Sequence, residues 1–332
     1  MTSWLVFSVV AALLALWWLI ERGKRRTRAM PPGLHPDIVL PHTAQWTLYH
    51  NAFSLCSKKV RVCLAEYGVS YDSVPIDLIE TGKYQNISRG FLLVNPGATV
   101  PVLVHNGQPI YESHEQLRYV ASAIDSGNLL VPKDVAIRQL MDEWVQKTSL
   151  IGDDPIESPE STVGNAIPGL TIPIFASMVA KISLLKIFEG VLFHRIKRRA
   201  LFFGLMKLAG LPKTLTLKPV NKFVNWSVVA MHVHLDDLEA QLLGSGGPWI
   251  CGEQFTLADI GMMVIFDRLR EGDWLDLLVN QRTMLGAYWA ALQQRQSYRD
   301  GCLGFEHPAV TQATAQLMQL KQLGKWPSDL PK

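Results

Sequence analysis

The chain has 332 residues, 48% apolar and 18% charged, enough to bury one large core or two ordinary ones and too apolar for a disordered chain. Its four cysteines form no CxxC pair, which excludes a disulfide framework and the usual zinc-finger spacings. The net charge of +3 conceals a segregation: residues 1–28 carry +4, residues 161–222 carry +9 and the remainder carries −10, so two segments are expected to face something anionic.

Residues 1–20, MTSWLVFSVVAALLALWWLI, contain no charged side chain and as a helix span about 30 Å, the thickness of a bilayer core. Trp4 lies near one end and Trp17 and Trp18 near the other, at the depths where aromatic rings favour the membrane interface. A cleaved signal peptide wants positive charge before the run and a small-residue cleavage site after it. Here Arg22, Lys24, Arg25, Arg26 and Arg28 follow the run, so an uncleaved single-pass anchor is expected, with the rest of the chain on the cytoplasmic side. Residues 21–45 then read as a basic flank followed by a proline-punctuated linker.

From Trp46 the periodicity changes. WTLYH alternates like a short strand, NAFS is a loop, and Cys56, Val60, Cys63, Leu64 and Tyr67 make a helical stripe that Gly68 can end. VSYDSVPID follows as a strand that Pro75 confines to a sheet edge. Residues 79–93 suit a helix, VPVLVHNGQPIYES two strands about an Asn106-Gly107 turn, and residues 113–124 a further helix. The order over residues 46–126 is β-α-β-α-β-β-α.

That order, with TLYHNAFSLCSKKVRVCLAEYGVSYD and NPGATVPVLVHNGQPIYES, resembles the thioredoxin-like half of the glutathione transferase superfamily, in particular its reductive-dehalogenase and zeta-type branches. The resemblance implies a thioredoxin-like α/β domain followed by an all-α domain, with glutathione as co-substrate and no metal. It implies a cis peptide at Val100-Pro101 whose backbone meets the cysteinyl moiety of glutathione. It also implies that Glu112 and Ser113 hold the γ-glutamyl end, through its ammonium and its carboxylate respectively. Cys56 is then the reactive thiol. Its place in the first helical turn favours a thiolate, Ser54 and Ser57 can donate to the sulfur, and Lys58 and Lys59 add positive potential. Cys63, seven residues on, reads as a packing cysteine. Tyr49 is a competing hydroxyl donor to the same thiol.

Residues 134–305 are expected to form the helical domain. Residues 134–150 are helical in period, and a polar break with Pro155, Pro159 and Pro168 follows. A basic, apolar insert at about 165–218 suits an amphipathic surface on anionic lipid, because Lys181 and Lys186 interrupt any second membrane span. Residues 219–243 form a long helix, Thr256-Leu257-Ala258-Asp259 opens another with the logic of a capping box, and one more helix runs from 283 to 297. Residues 306–332 read as a partly ordered tail. His232 and His234 are two apart on a helix and diverge, a poor metal pair, and no P-loop, dinucleotide fingerprint or nucleic-acid motif is present.

Together these imply a membrane-anchored glutathione-dependent enzyme acting on an apolar electrophile at Cys56, by dehalogenase-like thiol transfer or zeta-like isomerisation. The competing reading is a catalytically silent membrane scaffold or sensor. It resembles the ganglioside-induced differentiation-associated proteins, which carry a long insert in the second domain, and would work through the +9 insert. A homodimer, common among the relatives, is left open.

Overall fold

The computed structural model describes residues 2–124, 128–151, 158–194 and 196–331. The polar break at Pro155, Arg195 of the basic cluster and the expected boundary at residue 126 lie outside the described residues.

An apolar helix, α1 (Thr2–Lys24), precedes a five-stranded unit: β1 (Gly33–Leu34), β2 (Trp46–His50), α2 (Leu55–Glu66), β3 (Asp72–Pro75), α3 (Arg89–Val94), β4 (Val102–His105), β5 (Gln108–Tyr111) and α4 (Ser113–Ile124). The strand order is β1-β5-β4-β2-β3, with β2 and β3 parallel and the other pairs antiparallel. β3 occupies one edge, as Pro75 requires. Asn106 and Gly107 turn the β4–β5 hairpin with positive φ of 50° and 82°, the conformation for which Asn-Gly is preferred. Two departures from expectation concern local structure. The segment read as a linker supplies β1 and the buried Leu40, whose N–H donates to the Gly107 carbonyl at 2.8 Å. It covers the edge that β5 would otherwise expose, a pairing that no periodicity in the sequence announces. Residues 79–93 divide into two short 3₁₀ turns and α3 instead of one helix.

Alternation along the strands gives the sheet two apolar faces. Leu48, Leu103 and Ile110 pack with α2 and α4 into the main core, while Leu40, Phe91, Val102, Val104 and Tyr111 form a smaller cluster on the other side.

The helical domain comprises α5 (Val135–Lys147), α6 (Val163–Val179), α7 (Leu184–Phe193), α8 (Lys197–Thr216), α9 (Lys218–Gly244), α10 (Leu257–Glu271), α11 (Leu275–Leu278), α12 (Thr283–Gln294), α13 (Gln296–Gly301) and α14 (Pro308–Gln322). α6 contains Pro168, expected in a break, and Pro173 as well, and is nevertheless almost wholly buried. Gly169 lets it approach α9 so closely that a Cβ there would overlap the Ser227 hydroxyl. The first half of the basic, apolar insert is therefore core. Its second half leaves Leu184, Leu185 and Phe188 of α7 and Leu201, Leu205 and Leu208 of α8 exposed. The expected tail is instead α14, capped by His307, opened by Pro308 and packed through Val310, Ala313 and Leu317.

The two domains meet at α2 and α10. Buried Lys58 bonds Asp267 at 2.5 Å and Glu271 at 2.6 Å, and Tyr298 donates to Asp267 at 2.9 Å. At the end of β2, His50 is buried between Ser73 (2.8 Å) and Arg61 (3.1 Å); burial, with the Arg61 charge, lowers its pKa to about 3. An unfolded chain takes up a proton at His50 below about pH 6.5 and the folded chain does not until about pH 3. Stability is thus expected to fall on acidification through that window, by up to about 1.4 kcal/mol per pH unit from this residue alone. Unfolding midpoints of the protein and of His50→Gln between pH 7 and 4 check this: the variant should have the shallower slope, and equal slopes would contradict it.

Candidate active site

The turn after β2 is organised by Asn51. Its Oδ1 accepts from the Phe53 N–H (3.0 Å) and the Ser54 N–H (3.2 Å), while its amide donates to the Ile76 carbonyl (2.9 Å) and the Thr81 hydroxyl (3.0 Å). Asn after a strand is a signal for such a turn, a more specific one than the bare loop expected of NAFS. Ser54 is the N-cap of α2, accepting from the Ser57 N–H at 3.3 Å. Cys56 follows as the second helical residue, in the turn where N–H groups lack carbonyl partners. It is partly exposed, whereas Cys63, Cys251 and Cys302 are buried. Burial pushes the thiols of Cys63 and Cys302 far up, which makes them inert packing groups.

The neighbouring groups divide differently from expectation. Ser57 is buried and its hydroxyl accepts from the Asn51 N–H at 3.2 Å, so it serves the turn. Lys58 points into the domain junction described above. Lys59 is the basic residue left for the sulfur: it is buried, donates to the Thr148 carbonyl at the C-terminus of α5 at 2.6 Å, and has its pKa lowered by burial to about 8, a fall opposed by the charge of Cys56. Sequence reasoning missed Arg268. This buried guanidinium lies 3.5 Å from the centroid of the Phe53 ring, donates to the Phe53 carbonyl, pairs with Glu271 at 3.0 Å and also feels the charge of Cys56. It comes from α10, more than two hundred residues along the chain, and nothing local marks it. Tyr49 alternates with Leu48 and packs edge-on to Phe91 on the sheet face away from α2, which takes it out of the competition for the thiol.

Val100-Pro101 is a cis peptide. The Pro101 carbonyl accepts from the Gln116 amide at 3.0 Å, and the same amide reaches the Ile110 carbonyl at 2.7 Å, tying the turn to α4 and β5. Glu112 sits at φ 68° immediately before α4, and Ser113 is buried in the helix's first turn. Desolvation raises the Glu112 carboxyl above its ordinary range, and among the described residues it has no cationic partner. A carboxylate so placed gains from an incoming ammonium, and the first turn of α4 suits a carboxylate. The residues present therefore fit the γ-glutamyl end of glutathione. Burial lowers the pKa of His114 at the start of α4. A cavity of about 580 Å³ at the other end of α2 lies apart from this chemistry, and its charged pair, Arg295 and Glu66, is already joined at 2.6 Å.

A cysteine at a helix start and a cis-proline turn narrow the comparison, and residues 53–123 match the family model described as glutathione S-transferase, N-terminal domain. Over that segment the chain is similar to the glutathione S-transferases. Glutathione S-transferase TCHQD of Arabidopsis thaliana is 26% identical over 255 residues, covering 76% of this chain and 87% of the relative. Tetrachloro-P-hydroquinone reductive dehalogenase of Sphingobium chlorophenolicum is 25% identical over 255 residues, covering 76% and 93%. Among solved structures, the beta-etherase LigF of Sphingobium sp. strain SYK-6 superposes with a TM-score of 0.59 at 21% identity, covering 82% of this chain and all of LigF. The fold is thus the glutathione S-transferase fold, a thioredoxin-like domain followed by a helical one, and the relatives include, over 94 residues at 37% identity, the maleylacetoacetate isomerase of Rattus norvegicus. To that fold this chain adds α1, whose segment Trp4–Lys24 is long and apolar enough to cross a membrane and is almost entirely unburied.

Proposed function

We infer that the protein is a membrane-anchored glutathione-dependent thiol-transfer enzyme acting on an apolar electrophile, with Cys56 as its reactive group. The observation that supports this most is the state of the four cysteines: one is accessible at a helix N-terminus, within range of the buried cations Lys59 and Arg268, and three are buried. Val100, Pro101, Glu112 and Ser113 hold glutathione in this reading, and Ser54 orients the turn that carries the thiol. Glutathione displaces a leaving group X⁻ from the electrophile R–X, giving R–SG. The Cys56 thiolate attacks the sulfur of R–SG: an S–S bond forms, the C–S bond breaks, and the carbon keeps the electron pair and takes up a proton. A second glutathione thiolate then attacks the mixed disulfide, releasing oxidised glutathione and regenerating Cys56. The relative named as a reductive dehalogenase favours this sequence over isomerisation.

α1 serves as the anchor, and the exposed apolar side chains of α7 and α8, beside Lys197, Arg198 and Arg199, rest on the same anionic leaflet. An apolar substrate would reach Cys56 from that side. Trapping with a halogenated aromatic and glutathione, followed by mass spectrometry of the peptide containing Cys56, tests the reaction: a glutathione adduct is expected, and turnover without one would set the disulfide route aside.

Glu112→Gln is expected to raise the KM for glutathione about tenfold with a smaller change in kcat, because it removes a charge-assisted contact to the part of the tripeptide remote from the sulfur. Steady-state kinetics at varied glutathione check it; an unchanged KM would remove Glu112 from the site.

A further inference from the structure

We propose that the base of α1 carries a dedicated binding site for the phosphate of an anionic phospholipid headgroup, formed by Lys24, Arg26, Arg28 and Arg89. These four basic side chains, with Leu92, Leu93 and Pro96, line a cavity of about 450 Å³. The volume falls within the range of small-ligand sites, roughly 300–1,000 Å³. This inference rests on the reading of α1 as a membrane anchor, and it adds a specific pocket where that reading asks only for general positive charge.

The cavity has fixed walls. Buried Glu21, in the last turns of α1, pairs with Arg25 at 3.1 Å and with Arg89 at the start of α3; Arg25 in turn bonds Glu189 of α7 at 2.8 Å and covers the Phe193 ring. Further along, the Arg28 N–H donates to the Pro96 carbonyl at 2.9 Å. The flank is thus fastened on both sides of Arg26. Among the described residues no acid lines the cavity, and the nearby Glu21 is engaged by Arg25 and Arg89. Lys24, Arg26 and Arg28 are exposed and form no ion pair among the described residues. Three like charges held on one wall repel each other unless an anion joins them.

Depth selects a lipid phosphate. Lys24 lies four residues past Ile20, the last apolar residue of α1, so about 6 Å beyond the hydrocarbon boundary at 1.5 Å per residue. The headgroup layer on each side of a bilayer is about 5–8 Å thick. Leu93, 79% exposed at the cavity rim, faces water in the free protein but would meet the upper acyl region of a lipid whose phosphate occupied the cavity. Exposed basic side chains beside the exposed Leu93 at this depth match the two ends of one phospholipid.

The test uses the full chain with α1, reconstituted in phosphatidylcholine vesicles containing labelled phosphatidic acid, then extracted gently and assayed for retained label. Lys24→Gln/Arg26→Gln/Arg28→Gln is expected to retain about 100-fold less than the unmodified protein, given the contribution of each basic residue near a membrane surface. Lys213→Gln/Lys218→Gln/Lys222→Gln, which removes the same charge from the exposed α8–α9 junction, should retain it nearly unchanged. Thermal unfolding confirms that both variants are folded. Equal loss in the two variants, no preference of the unmodified protein for phosphatidic acid over phosphatidylcholine, or displacement of the label by equimolar inorganic phosphate would each overturn the proposal. Resistance of the unmodified protein to alkaline carbonate extraction reports separately on the anchor. If the protein resists extraction without lipid preference, only the cavity proposal fails; if it is extracted, the anchor reading fails as well.

Discussion

Cys56→Ser is expected to lower thiol-transfer turnover on the order of a thousandfold while glutathione affinity stays within a few-fold. The two substitutions available at this position separate two roles. A hydroxyl can donate a hydrogen bond to a bound thiolate, so if Cys56 were only a donor, serine would serve and alanine would not. A hydroxyl cannot form a disulfide, so if the sulfur takes the glutathionyl group, serine and alanine are equally inactive. Stopped-flow turnover with a halogenated aromatic, alongside calorimetric titration with glutathione, reads both quantities. Equal activity of Cys56→Ser and the unmodified protein would end the thiol-transfer interpretation. The three buried cysteines are poor substitutes, since a nucleophile must be reached by its substrate and hold its charge. Lys59 and Arg268 are buried cations, and a charge in a medium of low polarity acts over a longer distance than one in water.

The second large effect concerns folding. Asp259→Ala is expected to destabilise the protein by about 3–5 kcal/mol, corresponding to a fall in Tm of about 5–10 °C. Asp259 is fully buried; its carboxylate accepts from the N–H of Ile250 at 3.0 Å, the N–H of Thr256 at 2.8 Å and the hydroxyl of Tyr288 at 2.8 Å. Burial opposes these donors strongly enough to raise its pKa to about 6, which makes the network costly to leave unfilled. Alanine strands all three donors inside the core and uncaps α10, the helix that supplies Asp267, Glu271 and Arg268 to the domain junction and the site. Calorimetric melting checks the value; a shift below about 2 °C would show that the network contributes little. Because α10 carries Arg268, a partly folded variant should also lose reactivity at Cys56.

How legible each feature was depended on how far apart its parts lie in the chain. The start of α2, the Asn106-Gly107 turn, the edge position of β3 and the capping box at Thr256 and Asp259 all involve residues within a few positions of one another. Their side chains satisfy their own backbone, so the sequence alone is enough. The β1 pairing, the burial of α6 and the packing of α14 depend on surfaces contributed by distant segments. A proline-rich stretch reads as a break until the surrounding helices bury it, and a short strand reads as a linker until a bare sheet edge lies beside it.

The active site divides in the same way. Cys56 at a helix start, the Val100-Pro101 pair and the Glu112-Ser113 step are local motifs, and the chain's order of residues was sufficient to single them out. Which cation accompanies the sulfur was not encoded in adjacency. Lys58 and Lys59 are equivalent neighbours in the chain, but a helix turns about 100° per residue, so one is drawn to the acids of α10 and the other to the end of α5. Arg268 arrives only when α10 packs on α2. Charge, hydropathy and motif could single out the helix-start cysteine and the apolar helix, whereas the electrostatic surroundings of that cysteine, and the cavity at the base of that helix, exist only where separate helices meet, since Coulomb energy depends on distance through space and not along the chain.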